Sequence, residues 1–214
     1  IPIMSGQTSV PSSGVGTDFD VSAVAEVKSL LLRGAKGRAR EQYEGLVARH
    51  QHQISRIAFR YLKNEADVDE AVQDTFVKAF LHLPSHQEKV PFIAWLIRIA
   101  INTCLDQLKA KSRRNRWMLP LIDSNGNERT GVARQVTRNQ NPEEELLSKE
   151  QRTRLNTIIQ RLPERQQAVL MLSVFEGETT QEISAIMGVS EATVRVHQFR
   201  AIRRLQKWIS REHW

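Results

Sequence analysis

The residues best suited to chemistry lie near the C-terminus, where a strongly basic segment follows a glycine. Between Glu191 and Trp214 six basic side chains stand against two glutamates. Guanidinium groups donate hydrogen bonds to base edges and phosphates, and a helix in the major groove presents such donors from its first turns. The segment predicts a nucleic-acid-binding helix, and the alternative is a basic helix that only faces solvent. The basic residues are Arg195, Arg200, Arg203, Arg204, Lys207 and Arg211.

The turn before this segment favours DNA binding. Gly188 is suited to the left-handed turn that ends a short amphipathic helix. Ser190 is suited to cap the next helix, with Thr193 three residues further on. A short helix, a tight turn and an N-capped second helix form the helix-turn-helix arrangement of many DNA-binding domains.

A second cluster has the opposite charge. Val68, Val72 and Phe76 are four residues apart, which predicts a helix with these side chains on its buried face. The carboxylates between them then lie on exposed faces. A docking surface for a basic protein is one interpretation, and a solvated face matched to the helix dipole is the other, which composition alone favours. The acidic residues are Glu65, Asp67, Asp69, Glu70 and Asp74.

Overall composition restricts the class of protein. The 214 residues carry a net charge of +7, which favours a polyanionic partner, either nucleic acid or an anionic membrane surface. The one cysteine, Cys104, excludes an internal disulfide framework and a cysteine-rich zinc site. No apolar run approaches the roughly 18–20 residues that span a bilayer, and the first residues lack the features of a secretion signal. We therefore expect a cytoplasmic protein that is not inserted in a membrane.

Catalytic and metal-binding constellations are not found in the sequence. His50 and His52 lie two apart on a predicted helix, where side chains do not face one another. No phosphate-binding loop, nucleophile elbow or zinc-protease signature occurs. The sequence therefore predicts a protein that is not an enzyme, with no catalytic residues, no metal site and no cofactor.

Helical periodicity extends through the N-terminal half, without strand alternation of useful length. Four helices are predicted between Asp20 and Lys111. The first is capped by Asp18 or Asp20, the second covers about 39–62, and the fourth covers 92–111. Gly34 and Gly37 are expected to break the chain between the first two helices.

Periodicity stops after the fourth helix and resumes near Asn141. From Lys111 to Asn141 there are seven basic and two acidic residues, with Asn-Gly and Pro punctuation, which predicts a flexible basic linker. The fold class is therefore all-α, with two helical domains that we expect to move independently in the free protein. The predicted divisions are a disordered tail at 1–19, a first domain at 20–111, a linker at 112–141 and a second domain at 142–214.

Three segments together resemble a known family. "DVDEAVQDTFVKAF", "FIAWLIRIAINTCLDQLKAKSRR" and "RLPERQQAVLMLSVFEGETTQEISAIMGVSEATVRVHQFRAIRRL" resemble bacterial sigma factors of the extracytoplasmic-function (ECF) group, group IV of the sigma-70 family. The resemblance extends from about Ala39 to Ile209. It implies a region 2 domain, a linker and a region 4 domain. It also implies a subunit that gives core RNA polymerase promoter specificity and aids DNA melting.

The chief alternative is a stand-alone helix-turn-helix transcription regulator, whose C-terminal unit looks similar. Such a regulator needs a sensor or receiver domain, usually α/β, whereas the N-terminal half here is predicted to be entirely helical.

The resemblance assigns roles to both clusters. It implies that the acidic helix docks on the β′ clamp helices of polymerase, and that region 4 docks on the β flap and reads the −35 element. The implied polymerase-binding residues are Asp67, Asp69, Glu70, Gln73 and Asp74. The implied −35 residues are Arg195, Val196, His197, Phe199, Arg200 and Arg203.

The resemblance also implies a role for the loop at 83–91, which in the family captures a base flipped from the −10 element. Many relatives have an aromatic-Arg-Gly sequence here, but this chain has His86-Gln87-Glu88, so the captured base stays open. Control by an anti-sigma factor that holds the two domains together is implied as well. The implied −10 residues are His86, Gln87 and Lys89 in the loop, with Lys109, Lys111, Arg113 and Arg114 at the basic end of the fourth helix.

Overall fold

The computed structural model describes residues 15–117, 154–155 and 157–211, which are helical apart from short turns and contain no strand. The first half contains α1 (Val15–Leu32), α2 (Lys36–Leu62), α3 (Glu65–His82), a 3₁₀ turn (Leu83–Ser85) and α4 (Phe92–Trp117). In the second half, α5 (Glu164–Leu170) continues into a π-helical turn (Met171–Phe175), followed by α6 (Thr180–Met187) and α7 (Glu191–Arg211). Residues 154–155 and 157–160 are also helical. The predicted all-α class with two helical domains is confirmed.

Helix α2 is the centre of the first half, because α1, α3 and α4 all pack against it. Leu46, Ile54 and Tyr61 of α2 are almost completely buried. Burial of an aliphatic side chain such as Leu46 or Ile54 contributes roughly 1.5–3 kcal/mol. The Tyr43 hydroxyl donates a buried hydrogen bond of 3.0 Å to the Phe76 carbonyl, which ties α2 to α3. This packing holds the apolar face of α3 inward and its acidic face outward.

The junction between α2 and α3 is set by local signals. Lys63 adopts a left-handed conformation (φ 61°) and its amide donates to the Phe59 carbonyl, which ends α2. The Asn64 side chain then accepts hydrogen bonds from the amides of Ala66 and Asp67, at 2.9 and 3.4 Å, and caps α3. A cap of this kind contributes about 1 kcal/mol.

The start of α1 differs from the prediction. The helix begins at Val15, so Asp18 lies in its first turn and Asp20 lies inside it. Neither aspartate is the N-cap, and that expectation was wrong. Asp20 is instead buried, and its Oδ2 lies 2.9 Å from Nε2 of His50 on α2. The position of Asp20 is therefore explained by a contact with another helix, which the local sequence pattern did not indicate.

Two further boundaries were misplaced. Of the two glycines expected to break the chain between α1 and α2, Gly34 has a left-handed backbone (φ 75°), whereas Gly37 lies in the first turn of α2. Helix α4 continues to Trp117, beyond its predicted end at Lys111. Arginine and lysine are good helix formers, so the basic residues that suggested a linker extend the helix. The remainder of the predicted linker and the predicted helix start near Asn141 lie outside the described residues.

The two halves are packed together. Helix α4 lies against α6, and buried apolar side chains of both halves form one continuous cluster. The sequence predicted two domains that move independently, whereas in the structure the two halves contact each other. Within the described ranges, no helix is both long enough and apolar enough to cross a bilayer.

Candidate polymerase and nucleic-acid interfaces

The acidic residues of α3 form an exposed face, as predicted. Asp69, Glu70 and Gln73 are exposed, and the Asp74 side chain is half-exposed, 3.9 Å from Lys78 one turn further on. Asp67 differs, because its side chain is only 17% exposed and is paired with Lys111 of α4. One residue assigned to polymerase and one assigned to DNA thus neutralise each other.

An apolar strip continues the acidic face and was not identified from the sequence. Val77 and Leu81 are 50% and 67% exposed, and they follow Asp69 and Gln73 at four-residue spacing. An open groove of about 500 Å³ lies beside Gln73 and Val77, and His52 of α2 is among the residues that line it. The sequence could have indicated this strip, because Val77 and Leu81 are apolar residues that do not share the four-residue spacing of Val68, Val72 and Phe76. The surface of α3 is therefore acidic near its N-terminus and apolar near its C-terminus.

Five of the six predicted −35 residues lie around one groove on α7. The groove has a volume of about 650 Å³, and the only other lining residue is Arg204. Val196 and Phe199 are 45% and 60% exposed, and the Arg203 guanidinium stacks on the Phe199 ring at 5.4 Å. The guanidinium groups can donate to guanine or phosphate, and the apolar side chains can contact a thymine methyl group. The five residues are Arg195, Val196, Phe199, Arg200 and Arg203.

The sixth residue, His197, lies elsewhere. It is half-buried and lines a groove between α4 and α5, together with Lys109 and Arg165. Burial lowers its pKa, and the nearby charges of Arg165 and Arg200 lower it further. Successive helical residues are about 100° apart, so His197 leaves the face that Val196 shares with Phe199.

The core side of α7 was predicted in part. Val194 is completely buried, as expected. Phe199 was expected to face the core in part, and this was wrong, because it is 60% exposed and lines the groove on α7.

The helix-turn-helix turn has the predicted geometry. Gly188 is left-handed (φ 63°), and the Thr193 amide donates to Ser190 Oγ at 3.3 Å. Of the two candidate caps for α6, Thr179 is the one used. Its side chain accepts from the Glu182 amide, and Glu182 accepts from the Thr179 amide at 2.7 Å, which completes a capping box. These caps fix the angle at which α7 leaves the turn.

Glu178, next to the capping box, gives a testable pH dependence. Burial raises its pKa to about 7, with contributions from the Glu182 charge, a hydrogen bond to Glu182 and the Glu176 charge. Because the folded protein binds this proton more tightly than the unfolded chain, stability falls as pH rises from about 4.5 to 7. We expect Glu178→Gln to equal the parent at pH 5 and to be more stable at pH 8, by about 1–2 kcal/mol at this partly exposed site.

Thermal unfolding between pH 5 and 8 measures the difference. Glu44→Gln replaces an exposed carboxylate on α2 with a carboxamide and serves as the control. Its stability should depend on pH as that of the parent does. Parallel pH profiles for the parent and Glu178→Gln would contradict the assignment.

The loop between α3 and α4 is partly folded inward. His86 is only 6% exposed, lies 4.8 Å from the Trp95 ring, and donates through Nε2 to the Val90 carbonyl at 3.0 Å. Burial lowers its pKa. Lys28 of α1 donates to the His86 carbonyl at 3.0 Å, and Gln87 and Lys89 remain exposed. Two of the three predicted loop residues therefore reach solvent, while His86 holds the loop in place.

The predicted basic end of α4 is mostly exposed. Arg113 and Arg114 face solvent, whereas Lys111 pairs with Asp67 and Lys109 lies 2.9 Å from Glu164. Two of these four cations therefore already have carboxylate partners.

The described residues include no reactive thiol and no cluster of metal ligands. Cys104 is completely buried, and burial raises the pKa of its thiol to about 12, so it is protonated at neutral pH. In the same part of the chain, no three histidine, cysteine or carboxylate side chains are grouped to hold a metal ion.

Comparison with known proteins agrees with this arrangement. The Sigma-70 region 2 family model matches residues 46–114, and the Sigma-70 region 4 model matches residues 152–205. The chain is 35% identical to the ECF RNA polymerase sigma-E factors of Salmonella typhimurium and Escherichia coli K12 over 157 residues, covering 73% of this chain and 80% of each relative. The sigma-E factor of Haemophilus influenzae is 33% identical, with 73% and 81% covered.

Solved structures show the same fold. CnrH, in complex with the cytosolic domain of CnrY, superposes with a TM-score of 0.58 at 24% identity, covering 90% of this chain and 98% of CnrH. The sigma factor RpoE of Bartonella quintana, in complex with the anti-sigma factor NepR, gives a TM-score of 0.51 at 17% identity, with 79% and 98% covered. Regions 2 and 4 occur in order, and the match to the sigma-E factors extends over 157 residues. The chain therefore belongs to the sigma-70 family as an ECF sigma factor, a non-catalytic subunit that directs RNA polymerase to promoters.

Proposed function

We propose that this sigma factor divides promoter recognition between two surfaces on separate halves of the chain. The exposed face of α3 docks on the β′ clamp helices of core polymerase, and the groove on α7 reads the −35 element. The observation that carries the proposal is the groove itself, in which four arginines surround Val196 and Phe199 on an exposed helix that follows a capped turn.

The docking face on α3 combines charge with apolar contact. Glu70 and Asp74 supply long-range attraction to a basic partner, which accelerates encounter and sets orientation. Val77 and Leu81 supply apolar area that is desolvated on binding, which supports affinity once the helices are aligned. We therefore add these two residues to the polymerase-binding set.

The groove on α7 suits a site that contains both guanine and thymine. Arg195 is held by Glu191 at 2.9 Å one turn earlier, which orients its guanidinium before DNA arrives. Arg200 and Arg203 supply further donors, and the rings and methyl groups of Phe199 and Val196 suit thymine methyl groups. His197 is assigned no direct base contact, since it lies in the groove beside α4.

Capture of a flipped −10 base is assigned to the exposed part of the loop. Gln87 offers both donors and acceptors to a base edge, and Lys89 offers a cation to the adjacent phosphate. His86 is a positioning residue, because its ring is buried against Trp95 and its carbonyl is held by Lys28. Arg113 and Arg114 extend the positive surface along the DNA backbone.

A fluorescent base analogue tests the loop assignment. With 2-aminopurine in the −10 element, the parent with core polymerase should increase the fluorescence as the base unstacks. Gln87→Ala with Lys89→Ala should lower the amplitude severalfold, while Lys36→Ala, an exposed lysine on α2, should leave it unchanged. An undiminished amplitude in the loop variant would remove Gln87 and Lys89 from the capture site.

We further propose that the protein acts in the cytoplasm, where core polymerase and promoter DNA are found, and that an anti-sigma factor controls it. The RpoE of Bartonella quintana was solved in complex with such a factor, which supports the same kind of control here. Its target would be the surfaces that polymerase needs. Affinity capture with the tagged chain, with and without excess core polymerase, tests whether the inhibitor and polymerase compete.

A further inference from the structure

Glu176 lies at the junction of the two halves, just after the π-helical turn. Its side chain is only 3% exposed, and each carboxylate oxygen is held by a different arginine of α2. Arg56 Nη2 lies 2.9 Å from Oε2, and Arg60 Nε lies 2.9 Å from Oε1. Arg60 also donates to the Phe175 carbonyl at 3.1 Å and stacks over the Phe175 ring at 4.8 Å. A carboxylate of region 4 is thus clamped by region 2.

This contact is specific to the packed arrangement. Arg56 and Arg60 are 120 and 116 residues away from Glu176 in the chain, so neither contact belongs to a local helical pattern. Charge-assisted hydrogen bonds of this kind are about twice as strong as neutral ones. Arg56 is already 58% exposed, so separation of the halves would mainly return Glu176 and Arg60 to water. Loss of one arginine within the closed arrangement would instead weaken the pairing of the buried Glu176 carboxylate.

Two further contacts join the halves along α4. Arg98 Nη2 donates to the Met187 carbonyl at 3.3 Å, at the helix-turn-helix turn. The approach is so close that a Cβ at Gly188 would lie 2.9 Å from Arg98 Cζ. Lys109, assigned to the DNA backbone, is paired with Glu164 at 2.9 Å. The closed arrangement therefore occupies one of the cations that DNA would need.

The closed arrangement is also too short for a promoter. Elements centred near −35 and −10 are about 25 base pairs apart, or about 85 Å along the helix at about 3.4 Å per base pair. A compact chain of this length has a radius of gyration of about 17 Å, which corresponds to roughly 45 Å across. The two halves must separate before α7 and the loop at 83–91 can reach both elements.

We propose that Glu176, Arg56 and Arg60 form a latch that keeps the free sigma factor closed and unable to read a promoter. The inference rests on the assignment of the two promoter-reading surfaces to the two halves. Core polymerase, which offers separate docking sites, opens the latch by binding the separated halves. Only open chains bind polymerase, so the apparent affinity for polymerase is the intrinsic affinity multiplied by the fraction of chains that are open. A weaker latch should therefore tighten polymerase binding.

Charge reversal at the latch tests the proposal on the full chain. Glu176→Arg places three guanidinium groups together, so we expect the radius of gyration in small-angle scattering to rise from about 17–20 Å toward about 25 Å. The affinity for core polymerase should rise by about tenfold. The triple variant Arg56→Glu, Arg60→Glu, Glu176→Arg restores opposite charges and should return both values toward those of the parent. Glu44→Arg, an exposed reversal on α2 with the same change in net charge, should alter neither.

Arg60→Ala provides a second test that leaves region 4 unaltered, in case Glu176→Arg fails to fold. It should expand the chain and tighten polymerase binding, though less than Glu176→Arg, with the helical circular dichroism of the parent. Folded latch variants that keep the parent radius and affinity would overturn the latch. Expansion without tighter polymerase binding would overturn its regulatory role. Promoter-dependent transcription by the parent is assayed separately, so a failure of the functional assignment is recognised apart from a failure of the latch.

Discussion

Reversal of two charges on α3, Glu70→Arg together with Asp74→Arg, is expected to weaken binding to core polymerase by about a hundredfold or more. Like charges at an interface cost several kcal/mol, and both side chains lie on the exposed face proposed to dock on the clamp helices. The fold should survive. Among the residues that the structure describes, the only ion pair lost is the 3.9 Å contact between Asp74 and Lys78, and a surface pair of this kind contributes about 0.3–0.5 kcal/mol.

The affinity of the folded double variant for core polymerase is measured by titration at fixed salt. Glu41→Arg with Glu44→Arg is the matched control, because both residues are exposed on α2 and the change in net charge is the same. The control should bind like the parent. If the α3 variant also kept the affinity of the parent, the docking face would have to lie elsewhere on region 2.

The second large effect is expected at the groove on α7. Arg195→Ala with Arg200→Ala should abolish most transcription that depends on the −35 element, while the helix remains folded. Both side chains are exposed, and the pair between Arg195 and Glu191 is a surface contact that contributes little to stability. Loss of a base contact should cost about 1–3 kcal/mol and relax specificity at one position.

Salt dependence separates the roles of the two arginines. A single variant that loses a phosphate contact should weaken all sequences alike and reduce the salt slope by about one unit. A single variant that loses a base contact should keep the slope and lose discrimination. Lys207→Ala, exposed on α7 outside the groove, is the control and should keep base discrimination. Unchanged −35-dependent transcription in the double variant would show that another face of α7 reads the DNA.

Local chemistry in the sequence was sufficient for the helix-turn-helix turn. Gly188 has the left-handed backbone that its position predicted, and Ser190 caps α7. Such features depend on a few neighbouring residues, so they are readable without knowledge of the rest of the fold. The exposed positions of Asp69 and Glu70 followed in the same way from the four-residue spacing of Val68, Val72 and Phe76, whereas the pairing of Asp67 with Lys111 did not.

The residues that were misassigned depend on distant partners. His197 and Phe199 lie two residues apart on α7, and the packing of this helix beside α4 and α5 decides which of its sides is buried. His86 has a polar side chain in a loop, but Trp95 and Lys28 hold it inside. The clamp on Glu176 joins residues more than a hundred positions apart, which periodicity cannot indicate.

The central claim, that this chain directs polymerase to promoters through both halves, is tested most directly by run-off transcription with purified core polymerase. The template is a library of fragments with randomised −35 and −10 elements at fixed spacing. We predict that the full chain yields transcripts enriched in one sequence at each element, and that Arg195→Ala with Arg200→Ala loses the enrichment at −35 alone. Transcripts no more frequent or selective than with core polymerase alone would contradict it.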